Sequence, residues 1–316
     1  MQKNRALVIL GPTASGKTSL AIKLAAFLPI EIISLDSALI YRQMDIGTAK
    51  PTVEERAVCP HHLIDIIDPA QSYSAANFRE DCIRLVNDIC SRDRLPVICG
   101  GTMMYYKALC DGLSPLPQTD EAVRAKIAKE AETYGWPYMH AKLKELDPPL
   151  YAKLSPNDKQ RVSRALEVIA ISGRSMSSFF ENKGDQCPFE RMELVLLPSD
   201  GREKLRIQIR ERFLQMLHAG FEDEVVALRN RGDLNLNMPS MRCVGYRQIW
   251  EYLDGMLSYD EMIERGVIAT AHLAKHQMTW LRGGLSQSEN LYREILEPGH
   301  ADNVKTALSL ANRFLQ

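Results

Sequence analysis

Ala6-Leu7-Val8-Ile9-Leu10 runs straight into Gly11-Pro12-Thr13-Ala14-Ser15-Gly16-Lys17-Thr18, and the reading of this junction decides the fold. Five apolar residues in a row are what a strand buried on both faces of a parallel sheet requires. The octet after them matches G-x-x-x-x-G-K-[ST], and the chain from Lys17 to about Leu28, stopped by Pro29, is predicted as a helix. A strand, a glycine-rich turn and a helix start make an anion cradle. Backbone N–H groups curl around the anion, and the helix N-terminus adds partial positive charge. Lys17 is expected to reach the terminal phosphates and the Thr18 hydroxyl to bind Mg²⁺. The motif specifies a diphosphate or a triphosphate, and by itself it does not specify a nucleotide.

Working outward, residues 31–35 read as a second strand ending at Asp36, residues 75–92 as an amphipathic helix, and residues 96–99 as a buried strand entering Gly100-Gly101-Thr102. Strands separated by helices predict a parallel α/β sheet. From about Asp120 to Ser178 the pattern turns almost wholly helical, broken at Pro137, Pro148, Pro149 and Pro156. A loop is predicted over 184–188, a strand over 192–197, and helices from 201 onward. The fold expected is an α/β, P-loop NTPase-like core with a parallel sheet, built from residues 1–114 and 190–316. An all-helical insertion would occupy residues 115–189.

The chain has 316 residues, 45% hydrophobic and 25% charged, which suits a globular protein and excludes a disordered or collagen-like one. Lys plus Arg is 39 and Asp plus Glu is 40, so a broadly basic nucleic-acid surface is excluded. The kind of base is uneven: residues 1–160 carry 11 Lys and 8 Arg, whereas residues 161–316 carry 4 Lys and 16 Arg. Arginine grips phosphate bidentately and stacks on rings, so this bias points to specific anion contacts or to plain compositional preference. Seven scattered Cys with no C-x-x-C pair indicate reduced, cytoplasmic usage. No apolar run approaches the roughly 18 residues of a membrane span, no signal peptide is legible, and nothing calls for more than a monomer.

Asp36, at the carboxyl end of a predicted strand, stands where α/β proteins bind ligands. It is a candidate general base or Mg²⁺ ligand, with a turn-capping role as the alternative. Leu205, Ile209, Phe213, Met216 and Leu217 form an apolar helical stripe, and Arg212 projects about 20° from Leu205 on a 100°-per-residue wheel, inside that stripe. A guanidinium there is costly unless paired, so Arg212 is expected to reach an anion or an acidic partner. On the helix near 160–170, Val162, Ala165, Leu166 and Ile169 form the buried face, and Gln160, Arg161 and Arg164 the polar one.

Gly11–Thr18, the long string Asp36-Ser-Ala-Leu-Ile-Tyr-Arg-Gln-Met-Asp-Ile-Gly-Thr-Ala-Lys-Pro51, Gly100-Gly-Thr-Met-Met-Tyr-Tyr106, Gln160-Arg-Val-Ser-Arg-Ala-Leu-Glu-Val168 and Arg242-Cys-Val-Gly-Tyr-Arg247 together resemble the tRNA dimethylallyltransferase family. The matches run in order to about Trp280, and no zinc-finger extension like that of eukaryotic relatives is legible, so the resemblance is to the bacterial form. It implies transfer of a dimethylallyl group from dimethylallyl diphosphate to the exocyclic amine of the adenosine 3′ of the anticodon, in tRNAs reading codons that begin with U. Asp36, Thr102, Lys17 and Arg212 would be catalytic, with Thr13 near the reaction centre and Gly11 to Thr18 clamping the diphosphate with Mg²⁺. The resemblance further implies tRNA contacts by Asp36, Ser37, Ala38, Leu39, Thr102, Arg124, Gln160, Arg161, Val162, Ser163, Arg164, Arg242, Cys243, Val244, Gly245, Tyr246 and Arg247, the partner being the anticodon stem-loop. The competing readings are a P-loop small-molecule kinase, an adenylate isopentenyltransferase and a non-enzymatic nucleotide switch.

Overall fold

The computed structural model describes residues 4–181, 185–199, 202–283 and 291–316. The chain divides into two compact units: Met1–Cys110 with Cys187–Gln316, and Asp111–Gln186. The first opens with β1 (Arg5–Leu10), α1 (Lys17–Leu24), β2 (Ile30–Leu35), α2 (Val53–Val58), β3 (His61–His62), α3 (Ala75–Ser91), β4 (Leu95–Gly100) and α4 (Met103–Asp111). The second holds α5 (Glu121–Tyr134), α6 (Trp136–Leu146), α7 (Pro148–Lys153), α8 (Lys159–Ser172) and a 3₁₀ turn, Met176–Glu181. The chain returns to the first unit through β5 (Glu190–Leu196), α9 (Arg202–His218), α10 (Phe221–Asn230), α11 (Tyr246–Leu253), α12 (Tyr259–Gly283), β6 (Leu291–Leu296) and α13 (Asn303–Leu315).

All pairings in the six-stranded sheet are parallel, in the order β3-β2-β4-β1-β5-β6. Ala6–Leu10 of β1 and Leu95–Cys99 of β4, in the middle of the sheet, are buried apolar runs because both faces are covered. Leu7 and Ile9 face a core with Leu20, Ala21 and Leu24 of α1, whereas Ala6, Val8 and Leu10 face one with Phe78 and Val86 of α3. The register sets Leu10 and Leu35 each opposite Gly100, so β1, β4 and β2 end level with one another. Two buried carboxylates tie the sheet to its surroundings. Glu193 of β5 accepts from the Tyr106 hydroxyl of α4 and from Arg293 Nε of β6 at 2.7 Å. Glu31 of β2 meets His62 Nε2 at 2.7 Å and Arg92 at 2.9 Å.

Several expectations are corrected. The first helix ends at Leu24, not Leu28, and the chain from 201 onward is not wholly helical. β6 pairs with β5 along Arg191–Leu196, which the sequence reading missed. The two-residue β3 was also missed; it is too short for periodicity to register. Of the loop predicted over 184–188, residue 184 lies outside the described residues. No helix of the described residues is long and apolar enough to cross a membrane.

The helical unit is bounded by Asp111 and Gln186, a few residues earlier at each end than the predicted 115 and 189. Its core joins Ile127, Met139, Leu143, Val162, Ala165 and Leu166. Glu167 of α8 is 1% exposed and gathers three donors: the Asp120 backbone N–H at 3.0 Å, Arg164 at 2.7 Å and Arg124 at 3.0 Å. Arg164 also donates to the Pro117 carbonyl at 2.7 Å. Glu167 therefore fixes the segment leading into α5 against α8. Removing a buried acceptor leaves its donors unpaired, at a cost of about 3 kcal/mol. Glu167→Ala is expected to make residues 111–186 protease-sensitive at a lower urea concentration than in the wild type. An unchanged cleavage midpoint would show that the carboxylate does not hold the unit together.

Candidate active site

The site grows from the level ends of β1, β4 and β2. After β1, the loop of residues 11–18 turns through two left-handed residues, Ala14 at φ 66° and Gly16 at φ 82°. Alternation of right- and left-handed residues points successive N–H groups inward, which is the geometry of an anion nest. Gly16 suits its place because a Cβ disfavours that φ. α1 begins at Lys17 with no side-chain cap on its N-terminus, so its first amides remain available for an anion. Lys17 Nζ donates to the Pro12 carbonyl at 2.8 Å, folded back over the loop. The Thr18 hydroxyl, on the first turn of α1, belongs to an exposed residue.

After β2, Asp36 accepts on Oδ1 from the Ala38 N–H at 2.8 Å. After β4, Thr102 Oγ1 accepts from the Ser37 N–H at 3.0 Å, which ties the β4 end to the β2 end. Adjacent strands lie about 4.8 Å apart, so the Asp36 backbone stands about 10 Å from Gly11, with Thr102 between them. A cavity of about 550 Å³ opens over these ends, lined entirely by residues of the α/β unit. Thr13, Asp36, Thr102 and Arg212 line it, together with an apolar wall that includes Ile209, Phe213, Met216, Leu273 and Trp280.

The electrostatics are those of a site withdrawn from water. Burial raises the Asp36 carboxyl above its ordinary value, against the opposing pull of the Ala38 amide, Lys17 and Arg212. Burial lowers Lys17, opposed by Asp36. Burial likewise lowers Arg212, again opposed by Asp36. Arg212 reaches the cavity from α9, as its place within the apolar stripe requires. Cys243 lines the same cavity, its thiol pushed up to about 12 by burial and by Asp36. Among the described residues no three or more His, Cys, Asp and Glu side chains gather in a metal-binding group. His61 is engaged with the Cys59 carbonyl and His62 with Glu31.

The structure sorts the remaining residues. Ser37, Arg242, Arg247, Gln160 and Arg161 are exposed, and Ala38, Leu39, Cys243, Val244 and Ser163 are half-buried. Arg247 pairs with Glu251 at 3.2 Å, and Arg161 with Asp158 at 3.5 Å. Two expected RNA contacts are corrected. Val162 and Tyr246 are both 0% exposed: Val162 fills the helical core, and Tyr246 is enclosed by Phe221 while donating its hydroxyl to Glu224. Both lie within matched stretches but on inward faces, and Gly245 beside Tyr246 is buried too. Arg124 and Arg164 are not free cations either, because Glu167 holds both.

Residues that sequence reasoning missed stand close by. Glu224 of α10 accepts from the consecutive N–H groups of Asp45, Ile46 and Gly47 at 2.9, 2.8 and 3.2 Å. It anchors the loop whose Gly47 and Thr48 line the cavity. Gln277 of α12 bridges the two strand ends. The available signal was the spacing of Leu273, Gln277 and Trp280, one helical face carrying a glutamine between two large apolar groups.

Comparison with known proteins accords with this geometry. The model of the family described as IPP transferase matches residues 39–284, and that of isopentenyl transferase matches residues 4–63. A tRNA isopentenylpyrophosphate transferase from Bacillus halodurans is 34% identical, with 99% of this chain and 96% of that one covered and a TM-score of 0.68. A tRNA delta(2)-isopentenylpyrophosphate transferase from Staphylococcus epidermidis is 29% identical over 99% of both chains, with a TM-score of 0.65. A eukaryotic dimethylallyltransferase acting on tRNA is 25% identical over 99% of this chain and 79% of that one, with a TM-score of 0.81. With a phosphate loop, an aspartate at a nearby strand end and a family match over most of its length, this chain belongs to the IPP transferase family.

Proposed function

We propose that this protein transfers the dimethylallyl group of dimethylallyl diphosphate to N6 of the adenosine 3′-adjacent to the anticodon, in tRNAs that read codons beginning with U. The products are N6-dimethylallyladenosine and pyrophosphate. The observation that carries this reading is the row of strand ends, with a phosphate loop at one end, a carboxylate raised by burial at the other and a hydroxyl between. The acceptor is the anticodon stem-loop, and the setting proposed is a monomer in the cytoplasm.

An adenine exocyclic amine is a weak nucleophile because its lone pair is delocalised into the ring. Its nitrogen attacks C1 of the prenyl group, the C1–O bond breaks, and the electron pair leaves on the bridging oxygen of the diphosphate. Asp36 takes the amine proton. A carboxylate raised by burial is a stronger base than one in water. Charge building on the leaving group meets the loop amides, Lys17 and Arg212, already in place and short of water. Thr102 Oγ1, fixed by the Ser37 N–H, can hold the reacting amine or the bridging oxygen. The apolar wall receives the prenyl methyl groups and keeps water from the developing cation.

The donor set fits Mg²⁺: a threonine hydroxyl at the helix start beside a diphosphate suits a cation that keeps most of its waters and is held mainly by phosphate oxygens. Thr18 would hold the ion, which supplies charge neutralisation on the leaving group. To be modified, the base must leave the anticodon stack. Arg242, Arg247, Gln160, Arg161 and Ser163 are proposed to contact the RNA, with Ser37, Ala38, Leu39, Cys243 and Val244 nearer the base. Arg124 and Arg164 act first on the shape of the helical unit, through Glu167.

Incubation with Mg²⁺ and labelled dimethylallyl diphosphate, offered tRNA, AMP or ATP, is expected to label tRNA alone. Label in AMP would identify an adenylate-modifying enzyme instead, and phosphoryl transfer from ATP a kinase. Arg161→Ala and Arg242→Ala, tested singly, are each expected to weaken tRNA binding and to reduce the slope of log affinity against log salt by about 1. An unchanged slope in a titration from low to moderate salt would remove that arginine from the interface.

A further inference from the structure

Gln277 is 8% exposed, and both ends of its side-chain amide are engaged. Its Oε1 accepts from the Thr13 backbone N–H at 2.8 Å, and its Nε2 donates to the Gly101 carbonyl at 2.9 Å. The partners dictate the amide's orientation, since a backbone N–H only donates and a carbonyl only accepts. Thr13 belongs to the phosphate loop. Gly101 precedes Thr102, whose hydroxyl accepts from the residue after Asp36. One glutamine on α12 thus joins the half of the site that grips the leaving group to the half that receives the nucleophile. Gly101 makes room for it: a Cβ there would stand 2.6 Å from Gln277 Nε2.

We infer that Gln277 is a positioning residue for the transfer step, holding the phosphate loop and the Gly101–Thr102 turn at the separation that in-line displacement requires. Its amide offers an acceptor and a donor from one rigid plane. Methionine fills a similar volume and offers no N–H; glutamate keeps the acceptor and sets a second oxygen against the Gly101 carbonyl. Both partners are backbone groups, so loss of the bridge moves the loop as a body and leaves its anion-binding amides intact. Displacement chemistry is far more sensitive to alignment than binding is: a misplacement of about 1 Å costs about 10²-fold in rate. A prenyl group ionising without an aligned amine is captured by water. The C1–O bond then breaks, water oxygen bonds to C1, its proton goes to solvent, and dimethylallyl alcohol and pyrophosphate result.

The inference rests on the prenyl-transfer reading above, and one experiment separates the two. Gln277→Met and Gln277→Glu are compared with the wild type in single-turnover transfer to tRNA, in binding of pyrophosphate with Mg²⁺, in tRNA binding, and in the yield of dimethylallyl alcohol. The expected result is a fall in transfer rate of about 10²-fold, pyrophosphate and tRNA affinities within about threefold of the wild type, and a higher ratio of alcohol to modified tRNA. If one variant unfolds, the other decides the matter. Unchanged transfer, or losses in rate and affinity that match, would overturn the positioning role. If the wild type fails to prenylate tRNA at all, the functional reading falls and this inference with it.

Discussion

The chemistry of the site depends on one carboxylate, Asp36, held within electrostatic reach of two cations, Lys17 and Arg212, where burial disfavours the charge of all three. Asp36 is raised by burial; Lys17 and Arg212 are lowered by it. On the proposed function, a diphosphate would draw on Lys17 and Arg212. Less of their field would then fall on Asp36, which would become more basic as the donor substrate fills the site. The same low-dielectric surroundings that make the charges costly strengthen their hold on a leaving group.

The fold supplies the spacing. Parallel strands of matched length, with Leu10 and Leu35 both opposite Gly100, bring three loops to one sheet edge. A phosphate loop in this position commonly serves nucleotides. Here the neighbouring β4 ends in Cys99 and Gly100 and runs into Gly101, with no carboxylate where a metal-binding acid would stand, and the acid, Asp36, lies one strand further, just after β2. On the proposed function, that displacement would make the phosphate cradle half of a two-substrate site. Gln277 and Glu224 then fix the loops, each by capturing backbone N–H groups with a side-chain oxygen.

What the sequence revealed follows the range of each interaction. The phosphate loop, Asp36 and the helix around Arg212 are local patterns, and a wheel projection alone set Arg212 inside an apolar stripe. The role of Glu167 was hidden because its three donors come from α8 itself, from α5 and from the residue before α5. Val162 and Tyr246 were carried into the RNA-contact set by matched motifs; a motif does not distinguish the residue that touches a ligand from the neighbour that supports it. β6 escaped notice because Leu291-Tyr-Arg-Glu-Ile-Leu296 carries two charges and lies at the sheet edge, where only one side is paired. Gln277 lies 264 residues from Thr13, and no spacing rule spans that distance.

The central claim is that Asp36 is the base, held above its ordinary pKa by its surroundings. The most direct test is the pH dependence of single-turnover transfer to tRNA at saturating dimethylallyl diphosphate and Mg²⁺, in the wild type and in Asp36→Asn. A base works only when deprotonated, so the wild-type rate should rise with pH, with a midpoint above the ordinary aspartate value of about 3.9. In Asp36→Asn the rate should fall by roughly 10²–10⁴-fold and that limb should vanish, with tRNA still bound. A wild-type limb that persists in Asp36→Asn, or a variant that keeps its rate, would contradict the account.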